Sequence, residues 1–163
     1  MANGWLPPAE YVRTIARATS YACLYFTDVA GRPVQLRAVH AYEEWQCPGG
    51  NMDPGETPWQ CAVRECLEET GIVFDGPPRL LGSHFIGHQG EAWPANHIGF
   101  VFDGGTLTDG QIAGIVLDPT EHREVGVRSV EAWEGLMTPV NFRRLKAIDA
   151  ARREGRVAYM ETP

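Results

Sequence analysis

The best-marked element of the sequence is a helix that begins after Thr57 and ends before Gly71. Thr57 is a favoured helix-capping residue, Pro58 suits the first helical position, and Gln60 is placed to complete a capping box. Gly71 supplies the left-handed residue that ends many helices. One apolar stripe with helical spacing runs between these signals, through Trp59, Ala62, Val63, Cys66 and Leu67. We expect the helix to bury this stripe, most simply against a sheet.

Strand candidates lie before and after this helix. They cover residues 20–28, 34–42, 80–87, 97–103 and 125–130. We expect Pro48, Gly49 and Gly50 to end regular structure and to let the backbone approach another group closely. Residues 112–117 form a short apolar run, 130–137 favour a short helix, and 141–154 favour an amphipathic helix with a solvated cationic face. This order predicts an α/β or α+β layered domain with a mixed sheet between helices.

Length and charge restrict the class of protein. With 163 residues we expect a single domain over residues 1–163. The chain has 14 basic and 21 acidic residues and a net charge of −7, which argues against a protein that binds a nucleic-acid polymer through clustered positive charge. A small phosphorylated ligand stays compatible with this charge, because a bound divalent cation can offset it.

The sequence also indicates the cellular location of the protein and the state of its cysteines. No apolar run approaches the roughly 18 residues of a membrane span, and the first ten residues do not resemble a secretion signal. We therefore predict a cytoplasmic protein without a membrane partner. The four cysteines are expected to be reduced thiols in the core rather than disulfides or zinc ligands.

Three carboxylates share one face of the predicted helix. Glu65, Glu68 and Glu69 occupy an arc of roughly 100°, and Arg64 is placed to reach Glu68 or Glu56. Helical periodicity alone favours an ordinary solvated face with an arginine–glutamate pair. The preceding glycine pair adds backbone carbonyls, and an all-oxygen set of this kind is what Mg²⁺ or Mn²⁺ prefers. Both interpretations follow from the residues.

Residues 50–72 read GNMDPGETPWQCAVRECLEETGI, which closely resembles the Nudix box, G-x5-E-x7-R-E-U-x-E-E-x-G-U, where U is apolar. Eight positions over 23 residues match at the right spacing. Cys66 departs from the usual aliphatic residue, but a free cysteine behaves as a small buried hydrophobe. The matching residues are Gly50, Glu56, Arg64, Glu65, Glu68, Glu69, Gly71 and Ile72.

The resemblance implies an α/β/α sandwich and a reaction that depends on Mg²⁺ or Mn²⁺. In that reaction water attacks a phosphorus of a nucleoside diphosphate linked to another group X, or of a nucleoside triphosphate. It also implies that Glu65, Glu68 and Glu69 ligate metal, with Glu65 as a candidate to orient or deprotonate the water. A backbone carbonyl of Gly49 or Gly50 is a further ligand candidate. Arg64 and Glu56 resemble the family's supporting pair, and a homodimer is compatible with the family.

Other site residues stay open at this level. A further acid from a later loop is expected, with Glu121 favoured over Glu91 and Glu124. Trp45 and Trp93 are candidates to stack on a base, as is Phe85, although each also fits a core position. His84, His88 and His97 either line a pocket or serve as ordinary polar residues. The alternative function is a non-catalytic module that senses a nucleotide derivative or binds a partner protein.

Overall fold

The computed structural model describes residues 5–39 and 44–163, and these contain four α-helices and an eight-stranded sheet. A 3-10 turn at Glu131–Trp133 follows the seventh strand. The helices are α1 (Pro8–Tyr11), α2 (Pro58–Thr70), α3 (Asp109–Ala113) and α4 (Pro139–Glu154). The strands are β1 (Ala18–Asp28), β2 (Pro33–Ala38), β3 (Trp45–Gln46), β4 (Gly49–Asn51), β5 (Leu80–Ile86), β6 (Asn96–Leu107), β7 (His122–Val127) and β8 (Ala158–Thr162).

The sheet is mixed, as the sequence predicts. Its main path runs β3-β2-β1-β6-β5-β8, while β4 pairs with β1 and β7 pairs with β2. The pairs β1–β6 and β5–β8 are parallel, and the other pairs are antiparallel. The longest pairing joins β1 to β6, so these two strands form the centre of the sheet.

Both faces of the central strand are covered by helices. Leu24 and Phe26 lie in one apolar cluster with Cys61 and Cys66 of α2, whereas Tyr25 lies in a second cluster with residues of α4. Successive side chains of a strand point to opposite faces, so α2 and α4 lie on opposite sides of the sheet. This arrangement confirms the predicted α/β/α sandwich and explains why β1 is buried almost continuously at its carboxyl end.

The start and end of α2 agree with the sequence signals. The hydroxyl of Thr57 accepts the backbone N–H of Gln60, the side chain of Gln60 accepts the N–H of Thr57, and Gly71 is left-handed with φ of 72°. The buried face is rotated relative to the predicted stripe. Leu67 is 48% exposed, whereas Glu69 is only 3% exposed. The buried face of α2 is determined by its contacts with β1 and β4, and not by the apolarity of its side chains alone.

Most of the remaining differences between the predicted and the observed elements involve short strands. The predicted end of regular structure at Gly49 and Gly50 is wrong, because these residues form β4 and pair with Cys23 and Ala22 of β1. The short apolar run at 112–117 begins in the last turn of α3, which ends at Ala113. β8 was not predicted at all. The second predicted strand ends at Ala38, and residues 40–42 of that prediction lie outside the described residues.

Two further predictions concern cysteines and membranes. All four cysteines are free thiols, and Cys23, Cys61 and Cys66 are buried, as expected for core thiols. Among the described residues, no helix is both long and apolar enough to cross a bilayer.

Candidate functional site

The site is built around close contact between β4 and α2. Gly49 has φ of 155°, and a Cβ at this position would lie 2.3 Å from Cβ of Cys23, so no side chain fits there. Its N–H donates to Oε2 of Glu69 at 2.7 Å. A Cβ on Gly50 would lie 2.5 Å from Oε1 of Glu65. The glycine pair therefore lets the backbone of β4 touch two carboxylates of α2 directly.

Arg64 organises one end of this carboxylate group. Its Nε and Nη2 donate to the two oxygens of Glu56 at 2.9 and 3.0 Å, a bidentate pair. Its Nη1 donates to Glu65 at 2.8 Å and to Glu68 at 2.9 Å, and Nη2 also reaches the carbonyl of Asn51. One guanidinium thus joins the loop before α2, the end of β4 and three carboxylates.

Glu69 forms the other end, and its surroundings differ. Its carboxylate approaches Glu121 and His122, and one ligand atom from each residue lies within 4.8 Å of the others. Nδ1 of His122 is 3.6 Å from Oε1 of Glu69, and this buried nitrogen has no hydrogen-bond partner among the described residues. The Glu69 end therefore lacks the guanidinium that neutralises the Glu56 end.

The pKa values reflect this difference. Burial raises the pKa of Glu69 to about 8, and the nearby carboxylates of Glu65 and Glu121 add to the rise, against the hydrogen bond from Gly49. Burial also raises the pKa of Glu65 despite its contact with Arg64. By contrast, the hydrogen bond from Arg64 holds the pKa of Glu56 at about 2. Carboxylates with raised pKa values are those that a cation would stabilise most.

The donor set fits a divalent cation. Two carboxylates and an imidazole lie within the span that one ion bridges, and Mn²⁺ accepts both donor types while Mg²⁺ prefers oxygen. Burial lowers the pKa of His122, so this imidazole is neutral near pH 7. Its Nε2 lies 3.1 Å from the amide nitrogen of Gln46, and the tautomer decides whether Nδ1 donates toward Glu69 or offers a lone pair. The unpartnered Nδ1 supports the fit.

The three loop acids lie in different places. Glu121 lies just before β7 and is close enough to raise the pKa values of Glu65 and Glu69. Glu124 pairs instead with Arg37 at 3.3 Å, and Glu91 is exposed between β5 and β6. The structure therefore brings Glu121, the favoured candidate, to the cluster. His122 was missed, although its position next to Glu121 could have drawn attention to it.

The aromatic candidates are divided between the core and the surface. Trp45 is 5% exposed and packs against Trp133 with ring centroids 5.0 Å apart, so its burial does not support the prediction that it stacks on a base. Trp93 is more exposed, donates from Nε1 to Thr19, and lies 5.0 Å from the ring of His97. Phe85 is half-buried within β5.

The three histidine candidates have different surroundings. His84 is buried and contacts Thr162 through Nε2 at 2.9 Å. His97 stacks on Tyr21 with ring centroids 4.8 Å apart. His88 is exposed and accepts the backbone N–H of Gly90. His97 lines a cavity of about 400 Å³, and His84 lines a smaller one of about 260 Å³.

A sequence model described as the NUDIX domain matches residues 17–151. The chain is 57% identical over 67 residues to an RNA pyrophosphohydrolase of Rhodopseudomonas palustris (strain BisB18), covering 31% of this chain and 38% of the relative. It is 40% identical over 55 residues to an RNA pyrophosphohydrolase of Brucella abortus (strain 2308), covering 26% and 31%. The chain thus spans about a third of the length of the curated relatives that it matches.

Solved structures resemble this fold over most of its length. A MutT protein from Methanosarcina mazei Go1 is 27% identical, with a TM-score of 0.66 over 86% of this chain and 96% of that one. An Ap4A hydrolase from C. elegans is 21% identical, with a TM-score of 0.63 over 85% and 99%. The second likeness concerns the fold alone.

Proposed function

Because the chain belongs to the NUDIX domain family, we propose that it is a metal-dependent pyrophosphohydrolase that cleaves a nucleoside diphosphate linked to another group X. The observation that carries this proposal is the contact of Glu65 and Glu69 with the backbone of β4, with Glu121 close to Glu69. Burial raises the pKa values of Glu65 and Glu69. The neighbouring carboxylate of Glu56 is already neutralised by Arg64 and needs no further cation.

In this proposal Glu65, Glu68, Glu69 and Glu121 hold Mg²⁺ or Mn²⁺, and Nδ1 of His122 is a further donor for Mn²⁺. Of the two glycine carbonyls, that of Gly49 is the better further ligand, because the carbonyl of Gly50 accepts the thiol of Cys61 at 3.2 Å. When bound, the cation neutralises the diphosphate and lowers the pKa of a bound water.

The chain's own residues have separate tasks in this reaction. Glu65 orients the attacking water and accepts its proton, and its raised pKa suits a proton acceptor. Arg64 and Glu56 fix the loop before α2 against the helix, and they do not touch the reacting atoms. The N–H of Gly49 holds the Glu69 carboxylate in place.

The substrate we propose is a small nucleotide derivative or a nucleoside triphosphate. The matched relatives are RNA pyrophosphohydrolases, which makes the 5′ end of an RNA the main competing substrate. The net charge of −7 favours the small molecule, since polymer binding draws on clustered basic residues. Trp93 stays a candidate to contact the base.

Hydrolysis of a substrate panel tests the proposal. The panel contains nucleoside triphosphates, nucleotide sugars, a dinucleoside polyphosphate and a 5′-triphosphorylated RNA, each with Mg²⁺, Mn²⁺ or a chelator. We expect metal-dependent release of phosphate or nucleotide, with at least one small molecule cleaved faster than the RNA. The double variant Glu68→Gln/Glu69→Gln should lose this activity, whereas Glu124→Gln, whose carboxylate pairs with Arg37, should retain it.

Two results would reject the hydrolase. One is no turnover on the whole panel, and the other is full activity in the double variant. Calorimetry separates the alternative of a non-catalytic module, which should bind an uncleaved nucleotide tightly without metal. The complete set of box carboxylates favours the enzyme.

Three further predictions belong to this proposal. We propose that residues 1–163 form one domain, that the protein acts in the cytoplasm, and that a homodimer is a compatible assembly. Analytical ultracentrifugation of the purified chain tests the last of these directly.

A further inference from the structure

A second notable feature is a cavity of about 400 Å³ on the α4 side of β4. Gly49 and Gly50 line it, and the same two residues contact the carboxylates of Glu69 and Glu65. A substrate whose diphosphate lies at those carboxylates would therefore extend into this cavity. Its volume suits a sugar or a nucleoside. The other lining residues include Tyr21, His97, Asn141 and Arg144.

Arg144 is the cation of this cavity, and its position is fixed. Its Nη1 donates to the hydroxyl of Tyr21 at 2.8 Å, and its Cζ lies 5.8 Å from the centre of the Tyr21 ring. The Tyr21 ring in turn stacks on His97. A Cβ on Gly99 would lie only 2.1 Å from Cζ of Tyr21, so the ring packs directly against the backbone of β6. The guanidinium is thus held by an aromatic support that cannot shift toward β6.

Within residues 5–39 and 44–163, Arg144 has no carboxylate partner. Among the described residues the hydroxyl of Tyr21 is its hydrogen-bond partner, and no aspartate or glutamate lies within ion-pair distance. Arg64, Arg152 and Arg153 do have such partners, in Glu56, Asp103 and Asp149. Arg144 is half-buried, and leaving a partly desolvated guanidinium without a counter-charge is costly. An anion that enters the cavity would offset this cost.

Besides Tyr21, no titratable group among the described residues that line the cavity forms a hydrogen bond or an ion pair with Arg144. Glu44 accepts the side-chain N–H of Asn141 at 3.0 Å and lies at the start of α4. Burial lowers the pKa of His97, so this ring is neutral near pH 7. The pKa of Cys47 is lowered to about 7, first by a hydrogen bond from Cys23 and in part by the charge of Arg144. None of these groups is bonded to Arg144, so its guanidinium is available to an anion in the cavity.

We propose that Arg144 binds an anionic group of the substrate beyond the scissile diphosphate, so that the enzyme selects X groups that carry a carboxylate or a phosphate. This inference rests on the proposed function and names the substrate class of that same site. Guanidinium groups form paired hydrogen bonds with both kinds of anion, and such charge-assisted bonds are stronger than neutral ones.

Anion binding without metal provides the first test. Inorganic phosphate is titrated into the chelator-treated protein, and the dissociation constant is followed by two-dimensional NMR. We expect saturable binding that is at least about tenfold weaker in Arg144→Gln, because the charged donor is lost. Arg143→Gln is the matched control, since Arg143 is the exposed neighbour on the same helix and does not line this cavity. Equal affinities in wild type and Arg144→Gln, or no saturable binding by the wild type, would overturn the proposal.

A matched pair of nucleotide sugars provides the second test. UDP-glucuronate and UDP-glucose differ only by a carboxylate in place of a neutral hydroxymethyl group. Calorimetry in chelator should give tighter binding of the glucuronate, and this preference should vanish in Arg144→Gln and partly return in Arg144→Lys. Equal affinities of the two sugars in wild type, or a preference that survives in Arg144→Gln, would contradict the inference. Neither measurement depends on turnover, so a failure of the proposed hydrolysis would be recognised separately.

Discussion

Glu56 and Glu69 carry the same side chain at the two ends of one charged cluster, yet their pKa values shift in opposite directions. The bidentate bond from Arg64 lowers the pKa of Glu56 to about 2. Glu69 has no arginine or lysine partner in the described part of the chain, and burial raises its pKa to about 8. The comparison separates a carboxylate that is neutralised by an arginine from a buried carboxylate that binds a cation in the proposed function. Sequence spacing alone does not distinguish them.

The largest expected effect is on the rate of hydrolysis, when Glu69 at the end of the cluster away from Arg64 is replaced. Glu69→Gln should lower the rate of hydrolysis by at least about 100-fold, because it removes a negative charge that would bind the cation, whereas glutamine keeps the shape of the glutamate side chain. Glu68→Gln should lose less, since Glu68 is 56% exposed and contacts Arg64. Steady-state kinetics with Mn²⁺ checks both variants, with circular dichroism to confirm folding. Equal losses in the two variants would contradict the comparison.

The paired end should matter for stability. Arg64→Gln should lower the free energy of unfolding by about 2 kcal/mol, since it leaves several carboxylates without their charged donor. Urea unfolding followed by tryptophan fluorescence measures this change. Arg143→Gln, on the exposed face of α4, is the control and should differ little from wild type. An unchanged midpoint in Arg64→Gln would show that Glu56 and Glu65 need no fixed partner.

The backbone of Gly50 contacts Glu65, which bonds to Arg64 and contributes to the raised pKa of Glu69. In Gly50→Ala the new Cβ would meet Oε1 of Glu65 at 2.5 Å, so the carboxylate must move. We expect about tenfold lower activity, of the order seen when a supporting contact of a metal site is lost, with little change in the unfolding midpoint. Gly110→Ala serves as the control, because a Cβ there has open space around it. Unchanged kinetics in Gly50→Ala would show that the position of Glu65 is not critical.

The smallest effect is a pH dependence of stability. The pKa of Glu56 is lowered on folding, so its contribution is complete above the unfolded-state value of about 4.3 and is lost as the pH falls toward about 2. Glu56→Gln should therefore be less stable than wild type by about 1 kcal/mol near neutral pH. The difference should shrink between about pH 5 and pH 2. Unfolding curves over this range check it, and a gap that persists at about pH 2 would contradict the assignment.

Local signals were sufficient to predict α2 and the position of its carboxylates. Its capping box and left-handed glycine depend on residues within the helix or next to it. The strands β3, β4 and β8 have two to five residues, so their existence depends on distant partners rather than on local pattern. Long strands such as β1 were predicted because both of their faces are buried.

The chemistry of the site was only partly predictable for the same reason. Spacing grouped Glu65, Glu68 and Glu69, but burial of Glu69 depends on β4 and on His122, which follows it by 53 positions along the chain. The surroundings of Arg144 depend on Tyr21, which is 123 residues away. The sequence pattern assigned that helix face to solvent, and tertiary contacts gave Arg144 a different environment.

The central parallel pairing of the sheet also affects how the chain folds. Thr19 of β1 lies beside His97 of β6, 78 residues later, so the centre of the sheet closes only after a long loop has formed. Pairings of this kind fold slowly, because the entropy of closing the loop is lost before the contacts form. β4 is held to the sheet through β1, so the carboxylate cluster should be ordered late. During synthesis, the helix α2 would be complete well before the sheet that gives it a function.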